Sequence, residues 1–320
     1  MTTFTTYRGQ KVALLLPCLN EASAIGEVIS AFREAMPELD IFVFDNLSSD
    51  ATVQAAREAG ARVRIVPHRG KGNVVRRMFA DLDRDIYVMA DGDATYDPRS
   101  VRSMVNQMID DQLDMVVARR VPEIKQIKEV YRPLHAMGNW ALSTFVRRLF
   151  GGEIQDMLSG YRVLSRRFVK SFPALSSGFE IETELTIHAL VQRMPIAELP
   201  SPYFPRKSGS FSKLSTFTDG AKIAITIFRL YVREKPLEFF SLGSILLALT
   251  SLGLSLPILT EYLSSGLVPR LPTAILCATL MTLALLSLVC GLILNMVTQS
   301  RRETARLFYV GQLSAKEETA

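Results

Sequence analysis

At 320 residues the chain is long enough for one large domain or two ordinary ones. Its three cysteines, Cys18, Cys277 and Cys290, show no metal-ligand spacing and offer no disulfide framework, which excludes a stapled secreted scaffold and suits a reducing compartment. The formal net charge of +5 is modest for this length and gives no electrostatic case for a nucleic-acid partner.

Lys11 to Leu16 reads as a buried-type strand closed by Pro17-Cys18-Leu19-Asn20-Glu21, and Ala22 to Met36 then has helical spacing, with Ile25, Val28, Ile29 and Phe32 on one face. A second strand, Ile41 to Phe44, ends in Asp45-Asn46-Leu47-Ser48-Ser49-Asp50, and the helix after it, Thr52 to Ala59, is expected to be capped from Ser49 or Asp50. Ala61 to Pro67 makes a third strand. His68-Arg69-Gly70-Lys71-Gly72-Asn73 leads into a helix over Val74 to Leu82. On its own it reads either as a solvated turn or as a loop whose free amides, with Arg69 and Lys71, meet a phosphate. A fourth strand, Ile86 to Ala90, breaks off in Asp91-Gly92-Asp93-Ala94-Thr95-Tyr96-Asp97-Pro98. Strands alternating with helices imply βαβ units, an α/β class and a mainly parallel sheet, which binds ligands at the strands' C-terminal ends.

Carboxylates one residue apart on a strand point to opposite faces, but Gly92 can bend the chain so that Asp91 and Asp93 reach one centre. Mg²⁺ or Mn²⁺ bridged to phosphates fits such a pair, since these cations take one or two carboxylates together with substrate oxygens. An isolated Asp-X-Asp reads equally well as a polar turn. No Gly-X-Gly-X-X-Gly follows the first strand and no Walker lysine motif occurs, so neither nucleotide fingerprint is present.

Two stretches, Tyr131 to Phe150 and Thr218 to Arg233, carry aromatic and apolar residues beside Arg147, Arg148, Lys222 and Arg229, and read either as interfacial or as packing helices. Beyond them Leu237 to Thr260 and Leu271 to Val297 are apolar runs of 24 and 27 residues, each sufficient for a bilayer core. Arg229, Arg233 and Lys235 precede the pair and Arg301, Arg302 and Arg306 follow it, while the joining loop carries only Arg270. The positive-inside rule places both flanks in the cytoplasm. With no signal peptide at Met1-Thr2-Thr3-Phe4, the expected division is a cytosolic domain over 1–216, an interfacial helix over 217–236, spans at 237–260 and 271–297 around an external loop at 261–270, and a cytosolic tail over 298–320.

Pro17 to Glu21, Asp45-Asn46-X-Ser48-Ser49-Asp50-X-Thr52, Arg69 to Gly72, Asp91-Gly92-Asp93-X-X-X-Asp97-Pro98, Asp156-Met157-Leu158-Ser159-Gly160-Tyr161-Arg162, Gly178 to Glu184 and Arg206 to Leu214 stand in the order and spacing of the inverting GT-A glycosyltransferases. Over roughly residues 11–235 the chain most resembles their polyprenyl-phosphate branch, the relatives of dolichol-phosphate mannose synthase and bactoprenol-phosphate glucosyltransferase. Two departures stand out. Asn46 and Leu47 replace the second aspartate and the glycine frequent in the family, and the Gln-X-X-Arg-Trp motif of processive synthases is absent.

The resemblance implies a GT-A, Rossmann-like fold followed by juxtamembrane helices and a two-span hairpin. It also implies a UDP- or GDP-linked sugar donor and a polyprenyl-phosphate acceptor, a homo-oligomer being compatible with it, in the inner membrane of a bacterium with the catalytic domain cytoplasmic. Pro17, Leu19, Asn20, Glu21, Asp45, Asn46, Lys71, Asp91, Gly92 and Asp93 are then expected around the donor, Asp45 accepting from the base, with Asp91 and Asp93 on the metal. A lipid phosphate attacks without a base and needs cations instead. Arg119, Arg206 and Lys213, with Ser212, are expected there, and Asp156 as an orienting group or base. A hydroxyl acceptor served by such a base, or a non-catalytic membrane scaffold, are the other readings.

Overall fold

The computed structural model describes residues 6–122, 133–206 and 216–317. Two compact units are present, Met1–Ile227 with Ala305–Ala320, and Phe228–Thr304.

In the first unit the strands are β1 (Val12–Cys18), β2 (Asp40–Asp45), β3 (Arg62–Ile65), β4 (Ile86–Met89), β5 (Met115–Pro122), β6 (Arg162–Ser165) and β7 (Ile196–Tyr203). They form one sheet of order β3-β2-β1-β4-β6-β5-β7. All pairings are parallel except the two made by β6, which runs antiparallel to β4 and β5. Between the strands lie α1 (Ile25–Ala35), α2 (Thr52–Glu58), α3 (Lys71–Asp81), α4 (Ser100–Asp110), α5 (Pro133–Phe150), α6 (Arg166–Ser171) and α7 (Ile181–Gln192).

Alternation along β1 divides the core. Val12, Leu14 and Leu16 join Ile25, Ile29 and Phe32 of α1 and Val101, Met104 and Val105 of α4 in one buried cluster, whereas Ala13 and Leu15, equally buried, lie outside it. α2 is not capped by a serine. Asp50 Oδ1 instead accepts from the Thr52 amide at 3.0 Å, one residue inside the turn.

The chain passes from β1 to β2 on one side and returns to β4 on the other, so the C-terminal ends of β1 and β4 flank the crevice where the strand order reverses. Open α/β sheets bind ligands at such a switch point. Pro17 to Glu21 spans the end of β1, and Asp91 to Asp93 follow that of β4.

Helix α8 (Thr216–Glu234) buries Ile223 and Ile227 and exposes Lys222, Ile225, Phe228 and Arg229. In the second unit, α9 (Pro236–Ser265) and α10 (Leu271–Glu317) are long and apolar enough to cross a membrane, with 11% and 17% of their apolar windows buried, whereas a soluble core helix would be mostly buried. Ser244 Oγ donates to Ala284 O at 2.7 Å, Ser251 Oγ to Cys277 O at 2.8 Å and Ser287 Oγ to Phe240 O at 3.0 Å. Hydroxyl-to-carbonyl bonds of this kind hold helices together where apolar surroundings give no hydrophobic drive. The far end of α10 rejoins the first unit, where Tyr309 donates to Asp114 Oδ2 at 2.8 Å.

Candidate active site

The switch point opens into a cavity of about 360 Å³ whose walls include Pro17, Leu19, Glu21, Asn46, Lys71, Asp91, Gly92, Asp93 and Arg206. Nine residues expected from the sequence are thus brought together, and Arg120, Phe179, Glu182 and Tyr203 join them. Asn20, Asp45, Arg119 and Asp156 are not on the walls. Ser212 and Lys213 lie outside the described residues.

The chain bends over Gly92 to Ala94, as expected, but Gly92 does not use a left-handed φ to do so. The left-handed residue is Ala94, with φ 59°, and Gly92 is needed because a Cβ there would lie 2.6 Å from Cys18 Sγ at the end of β1. Close approach of the two strand ends, rather than backbone freedom, fixes this position. Asp93 is buried; its Oδ1 accepts from the Thr95 hydroxyl at 2.6 Å and its Oδ2 meets Arg206 at 2.7 Å. Burial, then the charge of Asp91, pushes the Asp93 carboxyl up, against the pull of Arg206. Two crowded carboxylates on the wall of this cavity fit a divalent cation, which relieves their repulsion. Among the described residues no cluster of three or more His, Cys, Asp or Glu offers a full protein cage, so the other ligands must be substrate oxygens and water.

The glycine-punctuated loop differs from its expectation. Gly70 N donates to Asn46 Oδ1 at 2.7 Å and Gly72 N to Ser177 O at 3.0 Å, so these two amides are already engaged. Cβ atoms at Gly70 and Gly72 would stand 2.2 Å from Ser177 O and 2.1 Å from Ser176 O, which is why both positions are glycine. The chemistry of the loop is the Lys71 ammonium, lodged between Asp91 Oδ1 at 2.5 Å and Glu182 Oε1 at 2.6 Å. Burial lowers its pKa, but the charges of Asp91 and Glu182 outweigh that and raise it.

Asn46 acts as an organiser. Its Nδ2 donates to Val66 O at 3.3 Å and His68 O at 2.7 Å while its Oδ1 takes the Gly70 amide. Aspartate could accept but not donate, so the departure from the family residue is chemically specific. Asp45 Oδ2 accepts from Ser48 N at 3.0 Å, whereas its buried Oδ1 has no hydrogen-bond partner among the described residues.

Side chains alternate along β5, so Arg120 and not Arg119 faces the cavity. The Arg120 guanidinium lies 5.5 Å from the Tyr203 ring centroid and grips Asp156 with Nε at 2.8 Å and Nη2 at 2.7 Å. Asp156 also accepts from the Arg120 amide at 3.0 Å and Asn139 Nδ2 at 2.9 Å. Burial would raise the Asp156 carboxyl, but Arg120 and these hydrogen bonds hold it below the usual carboxylate range. An engaged, stabilised anion is a poor proton acceptor. Arg119 instead feels Glu198, whose Oε1 accepts the Gln155 and Asp156 amides at 2.8 Å. The signal for Arg120 was the period-two alternation itself, and that for Glu182 was its place at the start of a helix in the Gly178 to Glu184 motif.

Residues 13–172 match the family model described as glycosyl transferase family 2. The chain belongs to glycosyl transferase family 2. It is 31% identical over 252 residues to glycosyltransferase AglJ of Haloferax volcanii, covering 78% of this chain and 81% of that one. It is 28% identical to a dolichyl-phosphate hexose transferase of the same organism, over 72% and 98% of the two chains. These relatives fit the polyprenyl-phosphate branch of the family. A Mycobacterium tuberculosis glucosyl-3-phosphoglycerate synthase crystallised with Mn²⁺, UDP-glucose and phosphoglyceric acid is 26% identical, with a TM-score of 0.55, over 70% of this chain and 80% of that one. The same synthase has been crystallised with Mg²⁺ and UDP. This GT-A-like family 2 enzyme is therefore a nucleotide-sugar glycosyltransferase.

Proposed function

We propose that this family 2 enzyme transfers a single sugar from a nucleotide diphosphate donor to a polyprenyl phosphate, inverting the anomeric centre. The observation that carries the reading is the state of Asp156, the carboxylate nearest to Arg120, which is fully engaged by Arg120 and Asn139, while Arg120 and Arg206 stand on the cavity wall, Arg206 against Asp93. Such a wall suits an acceptor that arrives already anionic and needs positioning, not deprotonation. The name of the dolichyl-phosphate hexose transferase supports the same acceptor class.

Asp91 and Asp93 would hold a divalent cation, which would supply electrostatic stabilisation to the departing diphosphate. Pro17, Leu19 and Glu21 bound the nucleoside side of the cavity. Arg120 and Arg206 hold the acceptor phosphate so that one of its oxygens approaches the anomeric carbon opposite the leaving diphosphate. The new C–O bond forms as the old one breaks, and no protein proton moves. Helices α9 and α10 cross the bilayer with their basic flanks on the cytosolic side, and the exposed Ile225 and Phe228 of α8, flanked by Lys222 and Arg229, rest in the headgroup layer.

The test is incubation of the full chain in detergent with polyprenyl phosphate, Mn²⁺ and radiolabelled nucleotide sugars. A labelled lipid made by the wild type and not by Asp93→Ala is expected. Transfer to a hydroxyl-bearing glycolipid with none to polyprenyl phosphate would overturn the reading.

A further inference from the structure

Glu182 stands in the first turn of α7 with its side chain only 5% exposed, on the wall of the cavity. Its Oε1 holds Lys71 at 2.6 Å, whereas its Oε2 is buried and, among the described residues, has no hydrogen-bond partner. A carboxylate oxygen taken out of water without a donor is destabilising, and one that stands on a cavity wall calls for a donor from water or a ligand. Lys71 reaches on to Asp91 Oδ1 at 2.5 Å, so the wall runs as a chain from the metal-candidate Asp91 through an ammonium to an oxygen lacking a donor. Phe179 lies beside it, its ring centroid 5.9 Å from Lys71 Nζ, and Leu158 adds apolar surface.

We propose that Glu182 accepts a hydrogen bond from a hydroxyl of the donor sugar and thereby selects a neutral hexose over an anionic one. This rests on the nucleotide-sugar reading above and deepens it. A sugar offers O–H donors at its edge and C–H groups on its face, which match a carboxylate oxygen next to an aromatic ring. Glu182 is itself a buried anion, and its one ammonium, Lys71, is shared with Asp91. A uronate would bring another carboxylate against it, and like charges in a poorly solvated site repel strongly. A site built around an unpaired polar atom also discriminates sharply against ligands that fail to pair it.

A merely structural Glu182, one that only props Lys71, would weaken nucleotide and nucleotide sugar alike. Calorimetry on the full chain in detergent micelles with Mn²⁺ separates the two roles. The ligands are UDP, UDP-glucose and UDP-glucuronate, with GDP and GDP-mannose run in parallel. For Glu182→Gln the neutral-hexose conjugate that the wild type binds is expected to bind at least tenfold more weakly, with the parent nucleotide within twofold. The preference for glucose over glucuronate should narrow at least fivefold. Glu182→Asp, which keeps a charge for Lys71 while withdrawing the oxygen, guards against a folding defect and should show the same split between nucleotide and conjugate. Equal losses on nucleotide and conjugate overturn the proposal, as does unchanged conjugate binding with lost turnover, which would make Glu182 a proton acceptor. Failure of the acceptor reading shows separately, as absence of a polyprenyl product while the binding split persists.

Discussion

Two buried acid–base clusters flank the same cavity and differ in how completely their groups are paired. Around Asp91, Asp93 and Glu182 each carboxylate has a cation, Lys71 or Arg206, yet Glu182 keeps an oxygen without a donor and Asp93 is pushed up by burial and by Asp91. Around Asp156 the two oxygens accept from Arg120, from its amide and from Asn139, and the carboxyl is held low. Asp93, Glu182 and Asp156 are alike in burial, and Asp91 is 27% exposed. Between these two clusters it is the bonding capacity left unfilled at Glu182 that differs.

The comparison breaks most visibly at Asp93. Asp93→Ala should lower sugar transfer by about 10³-fold or more, the scale of losing a principal electrostatic contact to the leaving group, while its melting temperature falls less than that of Asp156→Ala, because a crowded carboxylate has gone. Asp156→Ala should do the reverse, costing about 3 kcal/mol in chemical denaturation by stranding the Arg120 charge. Its pH dependence has a definite sign. A folded-state pKa held below its unfolded value contributes stability that is present above roughly pH 4 and lost as pH falls through the depressed folded value, so the variant should flatten the acid limb of the stability profile. Asn46→Asp should cost about 2 kcal/mol, because two donated bonds to Val66 and His68 are lost, and a denaturation midpoint unchanged from wild type would show that the loop is held otherwise. Arg119→Ala is the mildest: stability within about 0.5 kcal/mol and transfer within roughly twofold, since the side chain lies off the cavity wall. A large loss there would erase the distinction between the two faces of β5.

Much of this arrangement is legible from local pattern. The apolar runs that become β1, β2 and β4, the Asp-Gly-Asp after β4 and the two long apolar helices all announce themselves through period and length. Nonlocal contacts are less legible. Nothing near Gly92 says that Cys18 lies against it, and nothing near Gly72 says that Ser176 does. β6 enters between β4 and β5 and runs antiparallel to both, and no local period encodes that choice. Arg119 and Arg120 are chemically identical in the sequence, and only the register of β5 decides which meets the cavity.

The bond from Tyr309 to Asp114 joins residues 195 apart within one compact unit. Any crossing of a bilayer between them must therefore occur an even number of times, which two spans satisfy and one or three would not. At roughly 5–20 residues per second, Asp114 leaves the ribosome about 10–40 s before its last partner exists. The catalytic unit is consequently finished from its far end, and a chain arrested after its first span would leave that carboxylate with Arg167 and Ser165 alone.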